Sequence, residues 1–501
     1  MKKILSALLV FTMVIATFAF TTSAAYSGTP AEKFWTGKQM TIEVDTAEKL
    51  VAVFAAMSNK AEFAKKTIKL TADIVLNDAA LDDMKANKAG LFNWADVVDF
   101  NFEFGGIFDG NGHTISGLYY ENRGKGPHGN IEFGDNGNEH TNTALFPKTS
   151  ANAVIKNLRL TNSYVAGAYN TAFLVGTAGG NNKYENIQID NSYLLGTYKQ
   201  TADPAKDVLE TAGLYEKHSN TGAIQGNCAN ASYFINNVVV QGTVAGGGRF
   251  VGGFFGNMQQ AHIETTNSGF IGVYESFYET FYPNGVNLHK ENSGGLLGRC
   301  TDKINAEKGC IFTNTFFIGD FKANKKSTTS GLVAGRADLM TIDNFWANDD
   351  AYTYFGGTDK TKDTNEYNKC NTEKKSKLTG KDAADIIGLD SSVWYSMDGI
   401  GPMLVLFKQA AAEEVTTAVK TEIQIKPEPE KPADTSKKDE KPADTSKNDD
   451  NKPADTSAKP STKKPTPSKK PSTNTGDITV YMIAAVVISA AAAVVISKSR
   501  A

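Results

Sequence analysis

Cysteine, clustered histidine and net charge are all scarce in this chain, and each scarcity removes a class of function. Its 501 residues hold four cysteines, Cys228, Cys300, Cys310 and Cys370. None stands in a close pair with zinc-ligand spacing. The six histidines are scattered. No paired-histidine motif, nucleophile elbow or phosphate loop is present. The sequence therefore points to no metal and no cofactor. Lys and Arg total 52 against 55 Asp and Glu, a formal net charge of −3. A near-neutral chain lacks the basic excess that nucleic-acid binding draws on, so no nucleic-acid partner is expected. Long uncharged apolar runs are confined to the two ends.

Those ends read as export and anchorage signals. Lys2 and Lys3 precede an apolar stretch from Ile4 to Phe20, and Thr22-Ser23-Ala24-Ala25 supplies small residues for a peptidase. This is the pattern of a signal peptide, residues 1–25. At the other end, 477–501 reads as an anchor. Ile478 to Ile496 carries no charge and is close to the ~20 residues a membrane span needs. Lys498 and Arg500 follow, and basic residues beside a span favour the cytoplasmic side. The expected location is extracellular, held to the cell wall or cell membrane.

Before the anchor, residues 408–476 form a disordered spacer rich in Pro, Lys, Thr and Ser. Lys-Pro-Ala-Asp-Thr-Ser recurs at Lys431, Lys441 and Lys452. Such a segment buries too little apolar surface to offset its ordering entropy. Its prolines favour extended polyproline II, so about 50 residues reach on the order of 150 Å.

Repetition dominates the middle of the chain. Six segments align: 157–162, 186–191, 237–242, 267–272, 314–319 and 344–349. Each opens with Asn and has an apolar residue three positions on. The leading Asn residues are separated by 29, 51, 30, 47 and 30 residues. A period near 30 is visible, with two longer units carrying insertions. A second element rides on the same period at 172–176, 222–226, 252–256, 294–298 and 331–335, each closing on Gly. Alternation over four to six positions is strand periodicity, and repeated short strands suggest solenoid turns. Leu160, Ile189, Val240, Ile271 or Phe270, and Phe317 are expected to stack internally, with the leading Asn residues forming a side-chain ladder. The expected fold is all-β, a right-handed parallel β-helix over residues 101–407 behind a 26–100 cap containing a short helix. Gly or Asn at the strand ends would supply positive φ.

The Gly294–Gly298 type of element resembles the GLUG repeat of bacterial surface proteins. The segment Gly106–Leu118 is similar to the first-coil signature of β-helical surface proteins of Gram-positive bacteria. Asp45–Leu76, with a helix after Asp45, a capping-box Glu48 and a strand from Thr67 to Leu76, looks like their N-terminal cap. Trp394–Leu404 resembles their closing segment. Thr475-Gly476 with the apolar run and basic tail resembles a sortase cell-wall sorting signal, in which the Thr would be joined to the wall. The Leu and Pro usual to that signal are absent from Ser472-Thr473-Asn474-Thr475-Gly476. The resemblance covers about residues 40–407 and implies an adhesin-like binding protein rather than a defined chemistry.

No carboxylate cluster emerges among the outward positions Arg159, Gln188, Val239, Phe316 and Trp346, while Asp190, Asp320 and Asp343 lie on separate units. Asp109-Gly110-Asn111-Gly112-His113 places a carboxylate near an imidazole, but two glycines there read first as a capped turn. Asp135–Glu139 has oxygen ligands without calcium-loop spacing. Insertions at 119–143, 198–219 and 274–292 are the natural binding loops. The last holds Tyr274, Phe277, Tyr278, Phe281 and Tyr282, with the tyrosines spaced for one face of a short helix and suited to stacking on sugars or a protein. The expectation is a surface-displayed binding protein for a host protein, glycan or neighbouring cell. The alternatives are a surface-anchored carbohydrate-active enzyme, such as a polysaccharide lyase or glycoside hydrolase, and a structural envelope component. Cys300 and Cys310 are placed to close a short disulfide loop, which export permits.

Overall fold

A computed structural model describes residues 24–408 apart from 58–59, 99–101, 123–141, 168–169, 197–219, 230, 247–249, 260, 277–291, 302–308, 323–329, 338–339 and 349–368. Residues 1–23 of the expected signal peptide, 409–476 of the expected spacer with Thr475 and Gly476, the apolar run 478–496 and the 135–139 loop lie outside the described residues. Among the described residues no helix is long and apolar enough to cross a membrane.

The described fold is an all-β parallel solenoid with few helices. One fourteen-stranded sheet, here the long sheet, runs its length, and two six-stranded sheets complete the coils. A representative coil passes through Asn220–Gly222 in the second sheet, Gln225–Ala229 in the third and Ser232–Gly246 in the long sheet. Each strand pairs in parallel with its counterpart one coil on. The expected internal stack is present. Leu160, Ile189, Val240, Phe270 and Phe317 occupy matching positions and are buried. The Phe270 and Phe317 rings stack at 5.4 Å and 12°. Ile271 faces the other way.

The leading Asn residues all take left-handed backbone, with φ between 49° and 66° at Asn157, Asn186, Asn237, Asn267, Asn314 and Asn344. Asn tolerates this region better than other non-glycine residues, so it turns the chain and offers its amide to the neighbouring coil. The Nδ2 of Asn186 donates to Asn157 Oδ1 at 3.0 Å, Asn237 to Asn186 at 3.0 Å, Asn314 to Asn267 at 3.1 Å and Asn344 to Asn314 at 3.0 Å. Two members that the repeat count missed extend the ladder. Asn371 donates to Asn344 at 2.9 Å, and Asn157 donates to Asp109 Oδ1 at 3.0 Å.

The closing glycines answer to close packing, not to positive φ as expected. A Cβ on Gly256 would lie 2.5 Å from the Gly226 carbonyl, and one on Gly298 would lie 2.6 Å from the Gly256 carbonyl. Positive φ is found at the glycines that end two of the Asn-led segments, Gly272 and Gly319, at 135° and 147°.

Three further details of the cap and core differ from or refine the sequence reading. The first helix is Ala47–Ala56, and its N-cap is Thr46, whose hydroxyl accepts from Lys49 N at 3.3 Å. Glu48 stands one residue short of the capping-box position and accepts from Ser27 N at 3.0 Å. The strand expected over 67–76 is two strands, Thr67–Leu70 and Ile74–Val75, because Asp73 turns out to meet His113. Cys300 and Cys310 form a disulfide, and both are buried.

After the last coil, residues 375–408 double back over the outer face of the long sheet. They contain two short helices and an antiparallel pair, Trp394–Met397 with Gly401–Leu404. Leu378, Ile387, Leu389, Trp394, Leu404 and Phe407 bury Val239, Ile271, Phe316 and Ile318 in a cluster separate from the coil interior.

Candidate functional site

Of the aromatic residues singled out in the sequence, Tyr274 is the one that lies among the described residues, and it is not at the surface. Tyr274 lies on the strand His262–Ser276, not on a helix. It is fully buried, stacks on Phe321 at 4.8 Å and 15°, and donates its hydroxyl to the Val251 carbonyl at 2.9 Å. The correction has a simple cause: the long strand continues through Ser276, so period-2 alternation decides which way Tyr274 points. Phe277, Tyr278, Phe281 and Tyr282 lie outside the described residues.

The Asp109–His113 segment is a capped turn. Asp109 Oδ1 accepts from Asn111 N at 2.9 Å as well as from Asn157, and Oδ2 faces Lys156 Nζ at 3.4 Å. Burial pushes the Asp109 carboxyl up, but the hydrogen bonds from Asn157 and Asn111 and the Lys156 charge outweigh it and hold it below the usual range. His113 pairs with Asp73, not Asp109: its Nδ1 is 3.2 Å from Asp73 Oδ1, which also accepts from Thr114 N at 2.8 Å.

Arg159 and Asp190, which sequence spacing kept apart, form a buried bidentate pair. Nε meets Oδ2 at 2.8 Å and Nη2 meets Oδ1 at 3.0 Å. Thr161 and Gln188 also donate to this carboxylate, at 2.5 and 2.7 Å. Burial raises the Asp190 pKa, yet the Arg159 charge and these hydrogen bonds leave it lowered overall. Tyr395 of the returning segment sits close by, and burial, with the Asp190 charge adding, pushes its hydroxyl up to about 12. With both carboxylate oxygens bonded and the returning segment packed over it, this cluster pins that segment to the coils. Gln188 Oε1 accepts from Leu404 N at 3.2 Å.

A second polar arrangement lines the lengthwise corner between the second and third sheets, with Asn220, Asn257, Phe250 and Asn292 buried in it. Its floor is the row of closing glycines, where any Cβ would strike the facing backbone. One wall carries Asn142, Asn170 and Asn220 in register, then Phe250 and Asn292. The other carries Thr177, Asn227, Asn257, Arg299 and Arg336 in register. Alternation forces this placement, since Thr171, Thr221 and Val251 on one strand set and Ala178, Cys228 and Met258 on the other point inward and are buried. At the N-terminal half the walls bond to each other: Asn170 Nδ2 donates to Asn142 Oδ1 at 2.8 Å and to Thr177 Oγ1 at 2.9 Å. Asn220 donates to Asn170 at 2.6 Å, and Asn257 to Asn227 at 3.1 Å. At the C-terminal half Arg299 lies over the Phe250 ring at 4.8 Å, and Arg336 stands exposed in the next coil. Chemically the corner is a row of amides and hydroxyls about 4.8 Å apart along the axis, ending in two guanidiniums. The sequence signal was there: the residue after each closing Gly reads Thr177, Asn227, Asn257, Arg299, Arg336.

Among the described residues no group of His, Cys, Asp and Glu is placed to hold a metal.

Fold and corner together define a parallel β-solenoid with a lengthwise row of amides at one corner. No family model matches the chain, and no curated protein does. Among solved structures, one matches that is described as "Crystal structure of a putative immunoglobulin A1 protease from Bacteroides ovatus". It is 13% identical with a TM-score of 0.41, over 74% of this chain and 94% of that chain. Neither figure is large enough to carry an activity across.

Proposed function

We propose that this chain is a surface-displayed, adhesin-like binding protein built on a right-handed parallel β-helix of GLUG type, and that it takes an extended glycan along the corner between its second and third sheets. The observation that supports this reading is the in-register row from Asn142 to Arg336, which repeats hydrogen-bonding groups at the spacing of the coils. Export by residues 1–25 and retention through 477–501, with Thr475-Gly476 as the sorting site, complete the proposal. The test is a glycan array probed with residues 26–408 and with R299A/R336A. Selective retention of a glycan class, lost in the double variant, supports the reading. Equal signals from both proteins would move the binding site elsewhere.

A carbohydrate-active enzyme is the second reading, and the Asp73–His113 contact is the one geometry that favours it. Turnover of any retained glycan that disappears in H113A would establish it.

A further inference from the structure

The returning segment 375–408 lies across the coils, its two short helices over the last described ones and its final residues over earlier ones. Lys375 Nζ meets Asp320 Oδ1 at 2.8 Å. The Ile387 carbonyl accepts from Asn344 Nδ2 at 2.8 Å. Trp394 packs edge-on against Phe316 at 6.1 Å and donates its indole N–H to Asn237 Oδ1 at 3.4 Å. Leu404 N then reaches Gln188 of an earlier coil, and the Leu406 side chain ends beside Gly112 of the first coil. The segment is thus a strap laid lengthwise from the last coils to the first.

Two properties set it apart from the coils it covers. Its apolar contacts form their own cluster, with Leu378, Ile387, Trp394 and Phe407 over Val239 and Phe316. The interior stack of Leu160, Ile189, Val240 and Phe317 belongs to a different cluster. Neighbouring coils are joined by three strand ladders side by side. The strap's two strands pair with each other in their own two-stranded sheet, apart from those ladders, and near its end Val405 and Leu406 are exposed while Phe407 is buried.

We propose that the strap is a force-releasable element: tension on the chain beyond Lys408 strips it from Gly112 towards Asp320 while the coils stay folded. The strap meets the coils through side-chain packing and a few hydrogen bonds such as Trp394 to Asn237 and Leu404 to Gln188, whereas separating two coils breaks all their ladder bonds together. Units with their own contacts open below the global free energy. Release bares the stripe Val239, Ile271, Phe316 and Ile318, which the folded strap covers. The proposal does not depend on the glycan reading, because it concerns the opposite face and needs only tension from the C-terminal side.

Single-molecule pulling on the full chain, with handles at the two termini, tests it. The expected first rupture adds about 34 residues of contour, on the order of 120 Å, at a lower force than any later event. W394A lowers the force of that first event and leaves the later ones unchanged. A first event that opens coils or the whole solenoid would overturn the proposal. Hydrogen exchange on the unmodified full chain gives a second readout. Amides of 375–408 should exchange at least tenfold faster than those of 232–246 and 262–276, and equal protection would also overturn it.

Discussion

Asn157 Nδ2 donates to Asp109 Oδ1 at 3.0 Å, and this one contact fixes the direction of the ladder behind it. A carboxylate accepts only. Asn157 must therefore present its amide towards the first coil and its carbonyl towards Asn186, and Asn186 and Asn237 repeat the choice. D109A leaves a half-buried donor without its charged acceptor, and about 1–3 kcal/mol of stability should be lost. D109N retains an acceptor oxygen but loses the attraction to Lys156, so its loss should be smaller. Urea midpoints for the two variants check the order.

Asp190 carries the acid sensitivity of the strap's footing. Its folded pKa lies below the ordinary carboxylate value, so its contribution is present above about pH 4 and disappears as pH falls through the lowered folded value. Thermal melts from pH 7 to 2 should show stability falling below about pH 4, and D190N should remove part of that slope. Taking one member from a buried pair costs about 3–5 kcal/mol, whereas replacing both with apolar residues of similar volume is often neutral. D190A should accordingly be much less stable than wild type, with R159M/D190L recovering most of the loss.

Gly256 and Gly179 make a matched comparison. A Cβ at Gly256 meets backbone atoms at 2.5 and 2.7 Å, while one at Gly179 meets its nearest neighbour at 3.5 Å. G256A should cost at least about 3 kcal/mol by overpacking. G179A should stay within about 0.5 kcal/mol. Denaturant titration of the two variants would refute the packing account if the losses came out equal.

Cys228 is buried with its Sγ 3.1 Å from Met258 Sδ, and burial pushes its thiol up to about 12. The thiolate is the reactive species. In a C370S variant, a thiol reagent at pH 8 should leave the folded protein unlabelled and modify one site only after denaturant is added. Prompt labelling of the folded variant would contradict the buried placement.

Much of the coil stack was legible because alternation and a period near 30 leave marks in sequence. Leu160, Ile189, Val240 and Phe317 were identified from that pattern. The choice between Phe270 and Ile271 was not, and the reason is physical. Alternation marks a strand with one wet face. Under the strap the outer face is covered too, so Val238-Val239-Val240 and Phe316-Phe317-Ile318 read as unbroken apolar runs. Those runs were the strap's signature. The Arg159–Asp190 pair escaped for another reason: Asp190 aligns with Thr161, not Arg159, and only a side chain as long as Arg closes that diagonal. The corner was missed because its residues mean little singly and acquire a common face only when the coils stack.

The strap has a geometric consequence for where the described fold begins and ends. The first described residues are at the first-coil end, with Tyr26 N bonded to the Val75 carbonyl. Leu406 returns to Gly112 at that same end. Entry and exit of the described fold therefore share one pole, and the corner's two guanidiniums lie towards the other, beyond its row of amides.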